Sequence, residues 1–472
     1  MSQGLIVVLD LGKTLSKLSI WTREGVMIER RIYVNQAVES EIYKSLDVVG
    51  IEAWIASTLS DFARLGAIDA LIPVGHGAGV VLIKNGQLML PPMDYEATLP
   101  AEVLNGYRAQ RDEFVRTGSP ALPNGLNLGA QLYWLESLHA KTFKEATLMP
   151  WAQYWAWVFS GVAASEVTSL GCHTDLWNPV EARFSDMAIK RGWAEKFAPM
   201  QSANNVLGLI SPDWVKRTGL PNTMKIYCGV HDSNAALFAA RKFPEIAERE
   251  ATVLSTGTWF VAMRTTDKAI NIASLFETLD CLVNIDVFGK AIPSARFMGG
   301  REIETLIGLD NHNVDSKLDP SLLLATLPDI VANGTMLLPS FAQGFGPYAD
   351  LAGRWINKPD NEYAKQASVY LYAALVANTS LDLIGAQDSI FVEGRFAEMK
   401  VFVRALQSLR PQDTIYVADA HNDVSLGALL LVEPMLKPAG NLTRVAPLEI
   451  DLLSYATQWV ESCTPERIIT SN

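Results

Sequence analysis

Residues 5–14 read LIVVLDLGKT, an uninterrupted aliphatic run that ends at Asp10 and passes directly into a glycine turn. An apolar run of this length predicts a buried β-strand. Residues 17–21 and 26–34 follow as two further strand-like stretches, separated by a turn. Because no helix is predicted directly after the first glycine turn, the chain opens with consecutive hairpins, unlike a dinucleotide-binding βαβ unit.

The same order of elements begins again in the second half of the chain. Residues 252–254 predict a strand, the letters STGT at 255–258 predict a polar turn, and residues 259–263 predict another strand. A chain of 472 residues is too long for one ordinary hydrophobic core. We therefore predict an N-terminal domain (residues 1–245), a C-terminal domain (residues 246–440) and an extension (residues 441–472). A charged connector is predicted at the domain boundary, at residues 244–250.

The composition excludes several classes of protein. Hydrophobic residues make up 49% and charged residues 19% of the chain, which predicts large buried cores. The net charge is −12, from 39 basic and 51 acidic residues. A surface this acidic repels phosphate backbones, so we expect no nucleic-acid partner.

The cysteines and the apolar stretches bear on the compartment. The 4 cysteines lie far apart and form no CxxC pair, so we predict reduced thiols and neither a zinc site nor disulfides. The N-terminus lacks the features of a signal peptide, and no stretch reaches the roughly 20 apolar residues that span a membrane. We expect a cytoplasmic protein with no membrane partner.

The DLGKT turn is the first candidate for chemistry. Asp10 leaves the end of a buried strand, where a carboxylate oxygen suits Mg²⁺. Turn N–H groups around Gly12, with Lys13 and Thr14, can bind phosphate oxygens. The alternative is an ordinary Asp-x-Gly turn.

Two further motifs follow strand signals. In GVHD, Asp232 opens a run of small residues and is a candidate general base, with His231 beside it. The alternative for Asp232 is a helix N-cap. In HGA and PMDYE, His76 and Asp94 can bond sugar hydroxyls, and the alternative for both is a structural role. The aromatic helix predicted at 151–159 is interpreted as core.

The second half carries two glycine turns. Gly257 and Thr258 lie in the STGT turn, which suits nucleotide phosphates, and the alternative is a Ser/Thr-rich hairpin. Gly394, in FVEGRF, follows a strand and permits close approach of adenosine to the backbone. The alternative there is a plain strand–helix turn.

In this order the motifs resemble those of the FGGY carbohydrate kinases, of the actin/hexokinase superfamily, over about residues 5–432. The resemblance implies an α/β fold of two ribonuclease-H-like domains with a cleft between them. It implies ATP and Mg²⁺ as cofactors, a small sugar as substrate and a possible homodimer. By the same resemblance, Asp10 matches the Mg²⁺-phosphate aspartate and Asp232 the catalytic base. Gly257, Thr258 and Gly394 match nucleotide-side positions.

The resemblance also bears on the sugar side. His76 and Asp94 look like sugar-contacting positions. The His231–Asp232 pair and STGTW are similar to rhamnulokinases and fuculokinases, which implies a 6-deoxyketose such as L-rhamnulose or L-fuculose. The sequence departs from the family's DxGTT or DxGTS turn at Lys13, and the usually doubled adenosine-side glycine is single at Gly394.

Other functions remain open at this point. A pentulose or tetritol kinase of the same family is one alternative. A non-catalytic sugar or nucleotide sensor and a partner-switching ATPase on the same fold are two others. A dehydrogenase is disfavoured, because no GxGxxG follows a first strand.

Overall fold

The structure is a computed structural model, and it describes residues 4–247, 250–308, 318–420 and 424–463. Its contacts define two compact units. The first holds the described residues of Met1–Lys242, Leu282–Ile292 and Asn422–Pro438, and the second holds those of Phe243–Cys281, Pro293–His421 and Ala439–Asn472. Residues 248–249 of the predicted connector and 464–472 of the predicted extension lie outside the described residues, and the three predicted domain ranges stay predictions.

The strands are numbered in chain order. They are β1 (Leu5–Leu11), β2 (Leu15–Trp21), β3 (Met27–Val34), β4 (Ala37–Val38), β5 (Ser45–Leu46), β6 (Ile68–Gly75), β7 (Val80–Lys84), β8 (Gln87–Leu88), β9 (Thr147–Pro150), β10 (Trp177–Asn178), β11 (Arg183–Phe184), β12 (Val206–Leu209), β13 (Lys225–Tyr227), β14 (Val230–His231), β15 (Ala251–Thr256), β16 (Phe260–Thr265), β17 (Cys281–Ile285), β18 (Ala291–Phe297), β19 (Met336–Leu338), β20 (Arg354–Ile356), β21 (Ser389–Gly394), β22 (Thr414–Ala418) and β23 (Leu442–Arg444).

The α-helices are numbered in the same way. They are α1 (Val48–Phe62), α2 (Ala101–Arg108), α3 (Phe114–Thr117), α4 (Leu128–Leu138), α5 (Ala140–Glu145), α6 (Trp151–Ser160), α7 (Val167–Leu170), α8 (Asp186–Lys190), α9 (Pro212–Thr218), α10 (Asp232–Ala240), α11 (Pro244–Ala247), α12 (Gly299–Ile307), α13 (Pro320–Ala325), α14 (Leu327–Ala332), α15 (Glu362–Leu383), α16 (Lys400–Leu409), α17 (Val424–Val432) and α18 (Leu452–Cys463). Within the described ranges, no helix combines the length and the apolar character that crossing a membrane requires.

The main sheet of the first unit begins with the predicted hairpins. Its strands run in the order β12-β13-β6-β1-β2-β3. β1, β2 and β3 form an antiparallel meander, and β6 then returns parallel to β1. β13 and β14 both pair with β6 in the parallel sense. The carboxyl ends of β1, β6 and β14 therefore meet at one edge of this sheet.

The second unit repeats this arrangement. From β18 onward its main sheet runs β18-β16-β15-β21-β22-β23. β16 pairs antiparallel with β15 and with β18, and β21 returns parallel to β15. An antiparallel meander followed by a parallel strand beside the first one thus occurs in both units, and the predicted α/β class with a repeated element order is confirmed.

The core of the first unit includes the aromatic helix α6. Trp151, Tyr154 and Trp155 are all buried, and Trp151 lies against both neighbours at ring-centroid distances of 5.6 and 5.8 Å. The interpretation of these rings as core is confirmed. One polar residue of the same helix, Gln153, is fully buried among them.

Candidate active site

Three predicted site segments meet at the carboxyl edge of the first sheet. In the strand register, Leu11 of β1 lies opposite Gly75 of β6, and Gly75 also lies opposite His231 of β14. Asp10, His76 and Asp232 are each one residue from these positions along the chain. Parallel pairing therefore brings together residues that are far apart in the sequence.

Asp10 is buried at the end of β1, with 5% of its surface exposed. Its cross-strand partner in the β1–β2 hairpin is Lys17, whose Nζ donates to Asp10 Oδ2 at 3.1 Å. Among the residues that the structure describes, no three His, Cys, Asp or Glu side chains are grouped closely enough to hold a metal ion. Mg²⁺ that is held mainly by substrate phosphates and water needs only one or two carboxylates, and Asp10 fits that requirement.

The turn after β1 is fixed by Asn35, a residue that the sequence did not single out. Its Nδ2 donates to the carbonyl oxygens of Gly12, at 2.8 Å, and of Lys13, at 3.3 Å. Its backbone N–H donates to the Thr14 carbonyl oxygen at 2.9 Å. Asn35 therefore fixes the predicted phosphate turn through the carbonyl oxygens of the turn.

Lys13, where the sequence departs from the family pattern, contacts an acidic group. Its Nζ donates to Asp94 Oδ2, lies 3.7 Å from Glu96 Oε2 and sits 5.4 Å from the centre of the Tyr95 ring. The Asp94 side chain is almost fully buried. Lys13 was predicted on the nucleotide side and Asp94 on the sugar side, and the structure places the two in direct contact.

His76 lies just beyond β6, between two aromatic rings. Tyr95 meets it edge-on at 5.2 Å and Trp151 stacks on it at 6.0 Å, both measured between ring centroids. Part of the ring remains accessible, but Nδ1 and Nε2 are both buried and have no hydrogen-bond partner among the described residues. Burial is the main cause that lowers the pKa of His76 to about 4, against the opposing effect of Asp232.

The side chains of His231 and Asp232 lie in direct contact where β14 passes into α10. His231 Nε2 lies 3.2 Å from Asp232 Oδ1, and Asn234 Nδ2 lies 3.1 Å from His231 Nδ1. When Asn234 donates to Nδ1, the ring proton is on Nε2, the nitrogen that faces Asp232. Burial lowers the pKa of His231, although Asp232 acts in the opposite direction.

The Asp232 carboxylate keeps 30% of its side chain exposed. The hydrogen bonds that the described residues make to it come from the N–H and the hydroxyl of Ser233 and go to Oδ1, which is also the oxygen nearest to His231 Nε2. Oδ2 accepts no hydrogen bond from the described residues. Asp232 is the first residue of α10, and the N-cap position is His231, which makes no side-chain capping bond.

In the second unit, the turn with Gly257 and Thr258 connects β15 to β16 and is closely packed. A Cβ at Gly300 would lie 2.0 Å from the Gly257 carbonyl oxygen and 3.1 Å from Thr258 Cα. Gly299 and Gly300 open α12, so only a residue without a side chain fits at position 300. This doubled glycine was not singled out in the sequence, although a Gly-Gly pair ahead of a helical pattern is a readable signal.

Gly394 lies beside the strand that precedes this turn. It pairs with Thr256 in the parallel β15–β21 ladder, has φ +85°, and would place a Cβ 2.3 Å from the Thr256 carbonyl oxygen. Thr256 Oγ1 accepts the N–H of Phe396 at 3.1 Å, which fixes the chain just after Gly394. The predicted nucleotide-side residues Gly257, Thr258 and Gly394 thus lie at neighbouring strand ends of one unit.

The comparisons with known proteins agree with this arrangement. Residues 248–439 match the family model for the C-terminal domain of carbohydrate kinase FGGY. A carbohydrate kinase from Novosphingobium aromaticivorans is 52% identical, with a TM-score of 0.92, over 97% of this chain and 100% of that one.

More distant solved structures share the fold. A ligand-bound xylulose kinase from Lactobacillus acidophilus is 12% identical, with a TM-score of 0.78, over 97% of this chain and 96% of that one. A glycerol kinase from Plasmodium falciparum is 14% identical, with a TM-score of 0.78, over 98% and 97% of the two chains.

The repeated sheet defines a protein of the actin/hexokinase-like fold class. The chain belongs to the FGGY carbohydrate kinase family. It is accordingly a phosphotransferase with two actin/hexokinase-like domains, from a family that generally uses ATP.

Proposed function

We propose that the protein transfers the γ-phosphate of ATP to a hydroxyl of a small ketose, and that Asp232 is the general base. The observation that carries this proposal is the Asp232 carboxylate, which is partly exposed at a sheet edge with one oxygen uncommitted. A base in this position can accept the hydroxyl proton as the oxygen attacks the γ-phosphorus.

The sugar is proposed to bind beside Asp232. His76 offers two buried ring nitrogens that have no partner among the described residues, which makes it a hydrogen-bonding group for sugar hydroxyls. His231 orients Asp232 and lies next to the same space, since a Cβ at Gly77 would come within 3.0 Å of its Nε2. Asp94 completes the proposed sugar-side set through its contact with Lys13.

Phosphate and nucleotide groups are assigned to the remaining residues. Mg²⁺ near Asp10, when bound, would neutralise phosphate charge. Gly12 and Thr14 are proposed to contact phosphate oxygens through the first turn. In the second unit, Gly257, Thr258 and Gly394 are proposed to contact the nucleotide. The sequence predicts that Lys13 binds ATP. Its contacts with Asp94, Tyr95 and Glu96 instead support a role on the sugar side.

The proposed sugar is a 6-deoxyketose such as L-rhamnulose or L-fuculose. This choice rests on the resemblance of the HD pair and the STGTW turn to rhamnulokinases and fuculokinases, and it is open to test because substrate selection within one fold depends on a few side chains. A pentulose or tetritol kinase is the second candidate, and the xylulose kinases among the proteins of the same fold favour testing it. A cytoplasmic location and a homodimer are part of the proposal.

The test measures ADP release with MgATP against L-rhamnulose, L-fuculose, L-ribulose, D- and L-xylulose, erythritol and glycerol, with a blank lacking sugar. We expect one sugar to raise the rate far above the blank. Asp232→Asn should then lower kcat by about 100- to 10,000-fold, as loss of a general base does. Asp213→Asn is the matched control, because Asp213 is also an aspartate in the first turn of a helix but is exposed.

The outcomes separate the alternatives. If every sugar equals the blank, a sensor or a switch ATPase replaces the kinase, and turnover in the blank itself decides between them. If Asp232→Asn retains the turnover of the control variant, Asp232 is not the base.

A further inference from the structure

We infer that Thr168, Glu166 and Gln153 are positioning residues that hold the backbone of the catalytic turn, residues 228–232, from two sides. The inference rests on the proposed function, since it concerns how Asp232 is aimed. None of these residues contacts the sugar or the nucleotide in the proposal.

The first side of the turn is held by a hydroxyl. Thr168 Oγ1 accepts the backbone N–H of His231 at 3.0 Å, and this bond joins positions 63 residues apart in a fully buried setting. His231 is the last residue of β14, and its neighbour along the chain is Asp232. The Thr168 hydroxyl therefore fixes the peptide from which the proposed base projects.

Glu166 sets the direction of that hydroxyl. Its carboxylate is buried, and Oε2 accepts from the Thr168 hydroxyl and from the N–H groups of Thr168, at 3.0 Å, and Ser169, at 3.1 Å. Oε2 remains an acceptor whether Glu166 is ionised or protonated at Oε1, so the Thr168 hydroxyl donates toward Glu166. Its lone pairs then remain for the His231 N–H, which is the arrangement observed.

The second side is held by Gln153, the polar residue of the aromatic helix α6. Its Nε2 donates to the carbonyl oxygens of Cys228, at 3.3 Å, and Gly229, at 3.1 Å. Gly229 itself has φ +89°, and a Cβ there would lie 2.3 Å from the Pro73 carbonyl oxygen. Side chains thus hydrogen-bond to the turn at the carbonyl oxygens of Cys228 and Gly229 and at the N–H of His231.

These hydrogen bonds fix the position of the proposed base more closely than a loop without such bonds would. A displacement of about 1 Å at a reacting group can reduce turnover about 100-fold. Loss of the Thr168 hydroxyl removes the only side-chain partner of the His231 N–H among the described hydrogen bonds, so the peptide before Asp232 is held less firmly.

The experiment compares full-length variants with MgATP and L-rhamnulose, or with whichever panel sugar gives the fastest ADP release. Thr168→Val should lower kcat about 10- to 100-fold, with the KM for ATP within twofold of wild type. Thr168→Ser, which keeps the hydroxyl, should restore kcat to within about threefold. Thr218→Val is the control, since Thr218 is also buried but donates to the Trp214 carbonyl of its own helix, at 2.6 Å.

Thermal unfolding of each variant separates positioning from loss of folding. Thr218→Val should have a lower Tm and an unchanged kcat. Thr168→Val should have a lower kcat even at temperatures well below its Tm. If Thr168→Val does not fold, Gln153→Met, which removes the grip on Cys228 and Gly229, decides the question by the same kcat criterion.

The positioning role is overturned if Thr168→Val and Gln153→Met keep kcat within twofold while Asp232→Asn is inactive. It is also overturned if Thr218→Val lowers kcat as much as Thr168→Val. Turnover that survives in Asp232→Asn instead refutes the proposed base itself, so the two failures are distinguishable.

Discussion

The sharpest physical prediction concerns the charge state of His76. Both ring nitrogens are buried, and burial lowers the pKa of His76 to about 4. A histidine in an unfolded chain has a pKa of about 6.5. The unfolded state therefore takes up a proton as the pH falls through 6.5, while folded His76 stays neutral until about pH 4. His76 therefore lowers the free energy of unfolding progressively as the pH falls from 6.5 to 4. Above pH 6.5 its contribution to the free energy of unfolding is almost independent of pH.

The magnitude follows from the two pKa values. One pKa unit corresponds to about 1.4 kcal/mol, so the full shift is worth about 3.5 kcal/mol, and about 2.5 kcal/mol of it is lost between pH 7.5 and pH 4.5. Glu166 acts in the opposite sense. Burial raises its pKa to about 7, so its contribution is lost as the pH rises from about 4.5 to 7. Wild type must therefore be compared with a His76 variant that leaves Glu166 in place.

The assay is urea unfolding of wild type and His76→Phe at pH 7.5, 6.5, 5.5 and 4.5. We expect the free energy of unfolding of wild type to fall relative to the variant by about 2.5 kcal/mol across this range. In parallel, ¹³C-histidine NMR should show one imidazole, absent from His76→Phe, that does not titrate between pH 5.5 and 7.5. A constant difference between the two proteins, or a His76 midpoint above pH 6, would refute the argument from burial. It would also remove the neutral imidazole from the proposed sugar site.

Two further predictions concern the turns. Lys13→Thr, which restores the residue typical of the family, should raise the KM for the sugar at least tenfold and leave the KM for ATP within twofold, because buried Asp94 loses its cation. Steady-state kinetics with Lys141→Thr, at an exposed lysine, as control will check this, and the reverse pattern would return Lys13 to the nucleotide side. Gly300→Ala should raise the KM for ATP about tenfold, because its Cβ would collide with the Gly257 carbonyl oxygen. Gly208→Ala has room for the added methyl group and should not, and equal KM values would show that the turn is not used by ATP.

Local patterns were sufficient for the strands and for the residues at their ends. The LIVVL run predicted β1, and the repeated order of strand, turn and strand predicted the second sheet, because long apolar runs and glycine turns are local signals. Asp10, His76 and Asp232 were predicted as site residues for the same reason, since each was expected at or after the end of a strand. Their proximity needed one further step, the parallel pairing of β6 with β1 and of β14 with β6.

Side-chain contacts across long separations could not be predicted in this way. The Lys13–Asp94 pair spans 81 residues and the Gln153–Cys228 contact spans 75. No periodicity encodes such partners, because they depend on how helices pack against the sheet. Gln153 illustrates the limit, since helix α6 was correctly assigned to the core while the polar role of this one residue within it was not visible.

The repeated sheet explains why the order of motifs in the sequence was informative. In each unit a parallel strand pairs with the first strand of the meander, so a residue at the end of one must lie beside a residue at the end of the other. In the first unit this rule joins the ends of β1 and β6, near Asp10 and His76. In the second it joins Thr256 to Gly394. A motif at a strand end therefore has its neighbour fixed by topology, whereas a motif within a helix has to be located by packing. This difference is why the sequence singled out the acidic and glycine-rich turns but not the contacts of Gln153, Glu166 and Thr168.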